Sequence, residues 1–176
     1  MPVSKINIVS FSFSDISLLK ILASSVGAEF GKETYLAEGH IDLTEFFDVS
    51  RGQYKGNELL RAVDDHFSDE TRKTIGLFSV DLFIPILTFI YGQAYLGGKS
   101  AIASSHRLSN TRYGLPEDPV LFGERLVKEV IHELGHTFGL IHCHRPECVM
   151  RSSTYVEEID QKSRHLCQNC REKMDS

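Results

Sequence analysis

The stretch HELGHTFGLIH at residues 132–142 constrains the fold more than any other part of the chain. His132 and His136 are four positions apart, so on an α-helix their side chains lie about 40° apart around the axis and about 6 Å apart along it. Both imidazoles can therefore reach one metal ion. His142 cannot reach that ion from a continued helix, because the helical rise would carry it about 9 Å beyond the first pair. The chain must turn back, and Gly139 can adopt the positive φ that such a helix end requires.

This spacing predicts a catalytic zinc site on His132, His136 and His142. Three histidines leave the fourth position of a tetrahedral zinc site open, whereas structural zinc sites are usually closed by four protein ligands. Glu133 is turned about 100° away from His132 on the helix, where it can act as a general base on a water at the metal. The competing interpretation is an amphipathic helix that carries histidines by chance.

Four cysteines directly follow this stretch and predict a second metal site. They form two close pairs, C-x4-C and C-x2-C, which is typical of a tetrahedral thiolate site for zinc. The pairs are Cys143 with Cys148 and Cys167 with Cys170. Two disulfides are the alternative, with three possible pairings, but they favour an oxidising compartment and the amino terminus shows no secretory signal. Because Cys143 adjoins His142, folding of the tail and completion of the catalytic site are expected to be coupled.

The run from His132 to His142, the cysteine pairs and Met150 together resemble the archaemetzincins. The resemblance implies an α/β (α+β) metzincin-like fold, with a twisted mixed sheet, an edge strand at the cleft, packed helices that include the zinc-binding helix, and a short zinc-clamped C-terminal subdomain. It also implies two zinc ions per chain and Met150 as the Met-turn residue beneath the catalytic metal. In some metzincins a Tyr two residues after that Met is a further ligand, but here the position is Ser152, and Tyr155 is displaced from it.

The resemblance also suggests how the chain is organised. We expect one catalytic domain over residues 1–176, with an N-terminal subdomain over 1–139 and a C-terminal subdomain over 140–176. The stretches VDLFIP at 80–85 and GGKSAIASSHRL at 97–108 look like the central and edge strands of the family. An edge strand beside the zinc would pair with an extended peptide substrate. The alternative for 97–108 is an ordinary hairpin turn and strand.

Strand-like and helix-like segments alternate along the chain, which predicts a layered α/β sheet. The helix that carries the histidines is predicted from Glu124 onward, because Leu126, Val130 and Leu134 form an apolar row. The other predicted helices are Asp15–Ser25, capped by Asp15 and stopped by Gly27, and Asn57–Phe67, capped by Asn57. The predicted strands are Lys5–Phe13, Glu33–Ala37, Thr74–Val80 and Ala101–Ser105.

Composition limits the classes of partner. A 176-residue chain with 41% hydrophobic residues can bury a substantial core, and a formal charge of −5 does not favour nucleic acid or an anionic membrane. The apolar run 82–91 is far shorter than the ~20 residues that a membrane span needs. The amino terminus enters an apolar segment without a charged leader, so we expect a cytoplasmic protein. The remaining histidines, at positions 40, 66, 106, 144 and 165, have no assigned ligand role.

The predicted reaction is peptide-bond hydrolysis, with Glu133 as general base and then general acid. One alternative is a zinc-dependent binding protein whose tail is an interaction module. Residues 143–176 carry six Lys or Arg against six Asp or Glu, so the tail lacks the basic face of a nucleic-acid finger. The other alternative is hydrolysis of a non-peptide amide by the same residues.

Overall fold

Over the residues that the structure describes, the protein forms two β-sheets and five α-helices in a layered α/β arrangement. The computed structural model describes residue 3, residues 5–11 and residues 13–175. The strands are β1 (Lys5–Ser10), β2 (Glu33–Glu38), β3 (Phe47–Asp48), β4 (Gln53–Lys55), β5 (Arg72–Phe78), β6 (Leu82–Phe83), β7 (Gly92–Ala94) and β8 (Ser100–Ser104). The helices are α1 (Ile16–Phe30), α2 (Gly56–Phe67), α3 (Pro119–Thr137), α4 (Val156–Gln161) and α5 (Gln168–Asp175).

The main sheet is mixed, as predicted. Its strand order is β2-β1-β5-β8-β7, with parallel pairing throughout except for the antiparallel edge strand β7. β3, β4 and β6 form a separate small sheet. β1, β5 and β8 are almost entirely buried, as expected for strands covered by helices on both faces.

Two strand assignments from the resemblance are wrong. In the stretch 80–85 only Leu82–Phe83 forms a strand, and it belongs to the small sheet rather than to the centre of the main one. The stretch 97–108 contains a hairpin turn and the internal strand β8, while the edge of the sheet is β7. β7 spans three residues, so it is too short to show an alternating pattern in the sequence.

The first strand and first helix differ from prediction at their ends. β1 stops at Ser10 rather than Phe13, and Ser12 within the predicted strand lies outside the described residues. Asp15 caps α1 as predicted, since its Oδ1 accepts a hydrogen bond of 3.0 Å from the Leu18 N–H. The helix passes through the predicted stop at Gly27 and ends at Gly31, whose φ is 61°. Burial of the apolar face up to the end of the helix outweighs the cost of about 1 kcal/mol for an internal glycine.

The cap predicted for α2 is also wrong. Asn57 is the second residue of the helix, and Lys55 occupies the N-cap position without a side-chain hydrogen bond. The Asn57 Oδ1 instead accepts a 2.5 Å hydrogen bond from Gln93 Nε2 on β7. The predicted inward residues Leu59, Leu60 and Val63 are buried.

The histidine-bearing helix α3 is longer than predicted and is anchored in the core. It begins at Pro119 rather than Glu124, after Asp118, whose Oδ1 accepts a 2.9 Å hydrogen bond from the Leu121 N–H. Asp at the N-cap followed by Pro at the first helical position is a common helix start. The predicted apolar row of Leu126, Val130 and Leu134 is buried against the sheet and α1. This packing anchors α3 in the core, where Glu133 lies beside Gly92 of β7.

Among the residues described, no helix combines the length and the apolar character needed to cross a bilayer. Residues 1, 2 and 4, part of the amino-terminal segment considered for a leader, lie outside the described residues.

Candidate active site

The end of α3 and the turn after it bring the three predicted histidines together. α3 ends at Thr137, and Gly139 has a φ of 86°, which allows the chain to turn back. The imidazole ring centroids are 4.8 to 5.3 Å apart for the three pairs of His132, His136 and His142. One ligand atom from each histidine lies within 4.8 Å of the others.

The two helical histidines are oriented as metal ligands. His132 Nδ1 is 2.8 Å from the Val149 carbonyl oxygen, and His136 Nδ1 is 2.7 Å from the Leu140 carbonyl oxygen. A carbonyl only accepts hydrogen bonds, so both Nδ1 atoms carry the proton and both Nε2 atoms present lone pairs. Those Nε2 atoms are only 3.2 Å apart. Burial lowers the pKa of both imidazoles, which favours the neutral form that binds metals.

This arrangement fits zinc. Two lone pairs that face each other at 3.2 Å repel unless a cation lies between them. A tetrahedral ion at about 2.0–2.1 Å from each nitrogen would place the nitrogens about 3.3–3.4 Å apart. The carbonyls of Val149 and Leu140 also fix the ring orientation, as is usual for zinc-binding histidines.

Glu133 lies in the same cleft as the histidines. It is 6% exposed and lines a cavity of about 450 Å³. Burial, followed by the charge of Glu129, raises the pKa of Glu133 well above its ordinary value, while Lys162 opposes this change. The cavity is lined by residues 87–92, 129, 132, 133, 142, 152–155 and 162. Ser152 and Tyr155 are both among them, so the displacement of Tyr155 in the sequence does not keep it away from the cleft.

Gly92 on β7 makes room for Glu133. A Cβ atom at position 92 would lie 2.6 Å from Glu133 Cγ and 2.6 Å from the Ile102 carbonyl oxygen, closer than real Cβ contacts. Glycine is therefore required where β7 passes the helix. The turn after β7 also contacts the end of α3, since the Gly97 N–H donates a 2.8 Å hydrogen bond to the His136 carbonyl.

Met150 lies beneath the histidine-bearing helix. Its side chain is fully buried, and a Cβ atom added at Gly135 would overlap its sulfur. The neighbouring Val149 carbonyl is the partner of His132. The segment around Met150 thus contacts both the underside of α3 and one histidine ring.

The four cysteines form one cluster rather than two separate pairs. All four sulfurs lie within 4.8 Å of one another, and the four thiols are unbonded. Cys143 Sγ is 3.8 Å from Cys167 Sγ, and Cys148 Sγ is 3.8 Å from Cys170 Sγ. A tetrahedral zinc with bonds of about 2.3 Å to sulfur has the same edge length of about 3.8 Å. The cluster therefore fits zinc.

The electrostatics of the cluster favour a thiolate at Cys167, whereas burial raises the pKa of Cys148 and Cys170. Burial alone would raise the pKa of Cys167, but the Cys170 N–H and the neighbouring thiols lower it to about 7. The Cys143 N–H donates a 3.0 Å hydrogen bond to the Met150 carbonyl. The cysteine cluster is thus tied to the Met150 segment as well as to the adjoining His142.

A buried carboxylate attaches the tail to the rest of the fold. Glu29 on α1 is 4% exposed and accepts hydrogen bonds of 2.8 Å from the Leu166 N–H and 2.5 Å from Arg171 Nη2. His165 Nδ1 lies 2.7 Å from its other oxygen, so this histidine has a structural hydrogen-bond partner. The histidines at positions 40, 66 and 144 are exposed.

Sequence reasoning did not identify three further residues of the cleft. Glu129, Lys162 and Tyr91 line the cavity and are all buried. Lys162 Nζ lies 3.4 Å from Glu129 Oε1 and donates a 3.0 Å hydrogen bond to the Arg151 carbonyl. One signal was available: Glu129 precedes Glu133 by four residues, so the two carboxylates share a helix face. The positions of Lys162 and Tyr91 depend on contacts between distant segments.

Comparison with known proteins agrees with this geometry. Residues 36–176 match the family model of peptidase family M54. An archaemetzincin from Pyrococcus horikoshii is 37% identical over 164 residues, which cover 91% of this chain and 87% of that protein. The crystal structure of an archaemetzincin from Methanopyrus kandleri has a TM-score of 0.85 and 36% identity, covering 98% of this chain and 93% of the other.

A zinc-dependent peptidase from Methanocorpusculum labreanum gives a TM-score of 0.83 at 28% identity, with coverage of 96% and 99% of the two chains. The fold and the family predicted from the histidine and cysteine motifs are thereby confirmed. The chain belongs to peptidase family M54, the archaemetzincins, and is a zinc metallopeptidase.

Proposed function

We propose that this enzyme hydrolyses peptide bonds at the three-histidine centre, with Glu133 as the general base. The observation that carries the proposal is the pair of histidine Nε2 atoms that face each other at 3.2 Å, with Glu133 lining the adjacent cavity. His132, His136 and His142 would hold the zinc. A purely structural three-histidine site would not require a carboxylate in the cleft, so Glu133 favours catalysis.

Each group has a defined part in the proposed reaction. Zinc, when bound, lowers the pKa of water towards about 7 and polarises the substrate carbonyl. Glu133 accepts the proton of the attacking water and then donates it to the departing amine. The Val149 and Leu140 carbonyls keep the two helical imidazoles in the tautomer that binds metal.

A second, structural zinc on the four cysteines is part of the proposal, giving two ions per chain. Cys143, Cys148, Cys167 and Cys170 would fill all four positions of a tetrahedral site. Disulfides are less favoured because all four sulfurs share one cluster. We further propose that residues 1–139 and 140–176 act as two subdomains, with the cysteine site fixing the second against α1 and α3.

We place the peptide along β7, not along the 97–108 segment. β7 is the outermost strand on the cleft side of the sheet order, and Gly92 brings it into contact with Glu133. An extended peptide added to this edge would receive backbone hydrogen bonds that depend little on its side chains. Its scissile bond would then pass the histidines and Glu133 together.

The experiment is a comparison of zinc-loaded wild type with Glu133→Gln on a peptide library. We expect the variant to retain its metal content by mass spectrometry and to lose turnover. Glu157→Gln is the matched control, because Glu157 is exposed on α4 and should leave both properties unchanged. Undiminished hydrolysis by Glu133→Gln would remove Glu133 from the mechanism. Hydrolysis of small acylated amides but of no peptide would identify an amidase instead.

A further inference from the structure

A second cavity lies at the carboxyl ends of three parallel strands of the main sheet. Ser79 and Ser105 directly follow β5 and β8, Phe13 follows β1 by three residues, and all three residues line this cavity. Residues from the first turns of α1 and α3 line it as well, so it is called the α1–α3 cavity below. Its volume is about 780 Å³, compared with about 450 Å³ for the cavity beside the histidines. Ligands of parallel α/β sheets ordinarily bind at this edge.

Helix α3 separates the two cavities. Val120 lines the α1–α3 cavity and His132 lines the other, and the helix rises about 18 Å between them. Where the two cavities come nearest along the helix, they are lined by Val127 and Glu129, whose side chains lie about 160° apart around the axis. The α1–α3 cavity is therefore a separate position that the proposed hydrolysis does not use.

Apolar side chains that line the α1–α3 cavity are open to solvent. Val120 is 78% exposed and Ile21 is 57% exposed. Phe13, Leu18 and Phe122 also line the cavity and are half-buried. Exposed apolar surface with a polar rim marks a site of interaction, because covering it removes apolar groups from water.

The charged groups of this cavity are acidic. Asp15, Glu117, Asp118 and Glu124 line it, and none of the described residues that line it is a lysine or an arginine. Glu124 is paired with Arg164. Three carboxylates therefore remain for the cationic groups of a ligand.

The same groups disfavour an anionic ligand. A helix N-terminus ordinarily attracts anions, but here the side chains that cap the helices already occupy both N-termini. Asp15 Oδ1 accepts a 3.0 Å hydrogen bond from the Leu18 N–H, and Asp118 Oδ1 accepts one of 2.9 Å from the Leu121 N–H. Burial lowers the pKa of His106, which favours its neutral form. A phosphate would thus meet carboxylates and no fixed cation.

We propose that the α1–α3 cavity binds a segment of a partner protein in which Leu, Ile or Phe side chains are flanked by Lys or Arg. The apolar side chains of the partner cover Ile21 and Val120, and its cationic groups pair with Asp15, Glu117 and Asp118. Lys and Arg suit this surface, since their methylene stems can lie along apolar groups while the charged ends reach carboxylates. Residues 111–120, which lead into α3, are all exposed, so a chain can continue beyond the cavity.

The test measures fluorescence anisotropy of short labelled peptides with zinc-loaded Glu133→Gln, in which cleavage of the probe is expected to be lost. One peptide set combines Leu with Lys, a second replaces each Lys by Glu, and a third replaces each Leu by Ser. We expect the Leu–Lys set to bind at least about 10-fold more tightly than the others, because burial of one apolar side chain alone is worth about 10- to 150-fold. Equal binding of the Leu–Glu set, or no binding of the Leu–Lys set up to millimolar concentration, would overturn the proposal.

Variants with matched controls locate the bound peptide. Val120→Ser and Ile21→Ser should each weaken Leu–Lys binding about 10-fold, and Glu117→Lys should weaken it more at low salt than at high salt. The controls are Val49→Ser, at a position that is 85% exposed, and Glu45→Lys at an exposed position; neither residue lines the cavity. Equal weakening by the controls would overturn the proposal. Unchanged affinity in all three cavity variants would also overturn it.

Other occupants would give different results. Sedimentation of the protein alone would reveal a dimer that Val120→Ser dissociates if a second copy of the chain covers the cavity, and that result would overturn the proposal. Binding of butylamine as tight as that of the Leu–Lys peptides would assign the cavity to a small cation instead. The inference does not depend on the proposed function: absence of peptide hydrolysis by the wild type leaves it intact, and loss of peptide binding leaves the hydrolysis intact.

Discussion

Replacing Gly135 with alanine tests whether α3 rests on Met150. In a helix interior this substitution ordinarily stabilises a protein by about 1 kcal/mol. Here the added Cβ would overlap the sulfur of a fully buried Met150, and overpacking of this kind costs about 1–3 kcal/mol. The net effect should be a destabilisation of about 1 kcal/mol.

Gly123→Ala on the same helix is the matched control. Its Cβ would meet only the end of the Leu18 side chain, at 3.2 Å, and that side chain is partly exposed and can move. The free energy of unfolding of this control should equal or exceed that of the wild type. The free energies of unfolding of the two variants should therefore differ by about 2 kcal/mol, which corresponds to about 4–8 °C in Tm for a chain of this size. Thermal unfolding of the zinc-loaded proteins by circular dichroism measures the difference. In a Met150→Ala background Gly135→Ala should become stabilising, and equal Tm values for Gly135→Ala and Gly123→Ala would refute the packing argument.

Three other substitutions test the site and its support. Gly92→Ala should displace Glu133 and lower kcat by about 10- to 100-fold without changing the metal content measured by mass spectrometry. An unaltered kcat would show that β7 can move to accommodate the added methyl group. Asp118→Ala should cost about 1 kcal/mol in urea unfolding through loss of the α3 cap, and no change would argue against that cap. Burial opposes ionisation of Asp81, but two 2.7 Å hydrogen bonds from Arg107 lower its pKa. The stability that the ion pair gives is present above the ordinary pKa of about 4 and is lost as the pH falls through the folded-state pKa. The free energy of unfolding of Asp81→Asn should therefore fall less steeply than that of the wild type as the pH is lowered. An equal fall in both proteins would contradict the ion-pair account.

The site could be predicted where its geometry is local. The spacing of His132 and His136 fixes their relation on any helix, and the need for a turn before His142 identifies Gly139. The start of α3 also has a local signal, because Asp118 followed by Pro119 is a strong helix start, although the apolar row alone pointed to a later residue.

Features that depend on contacts between distant segments could not be predicted. β7 is defined by its pairing with β8 and by the close approach of Gly92 to α3, neither of which leaves a periodic pattern in three residues. Lys162 reads as an exposed lysine in the sequence, yet it is buried against Glu129 because α4 packs on α3. Asn57 has the side chain of a helix cap but bonds to Gln93 on β7 instead. Tertiary contacts overrode local preference in each case.

The central claim is that three histidine nitrogens hold a catalytic zinc with one position free of protein atoms, while four cysteines hold a second zinc. Anomalous diffraction from crystals of the purified protein, measured on both sides of the zinc absorption edge, tests it most directly. The account predicts two zinc peaks per chain, one among His132, His136 and His142 and one among the four sulfurs. A single peak, or a fourth protein atom bound to the metal at the histidine site, would contradict it.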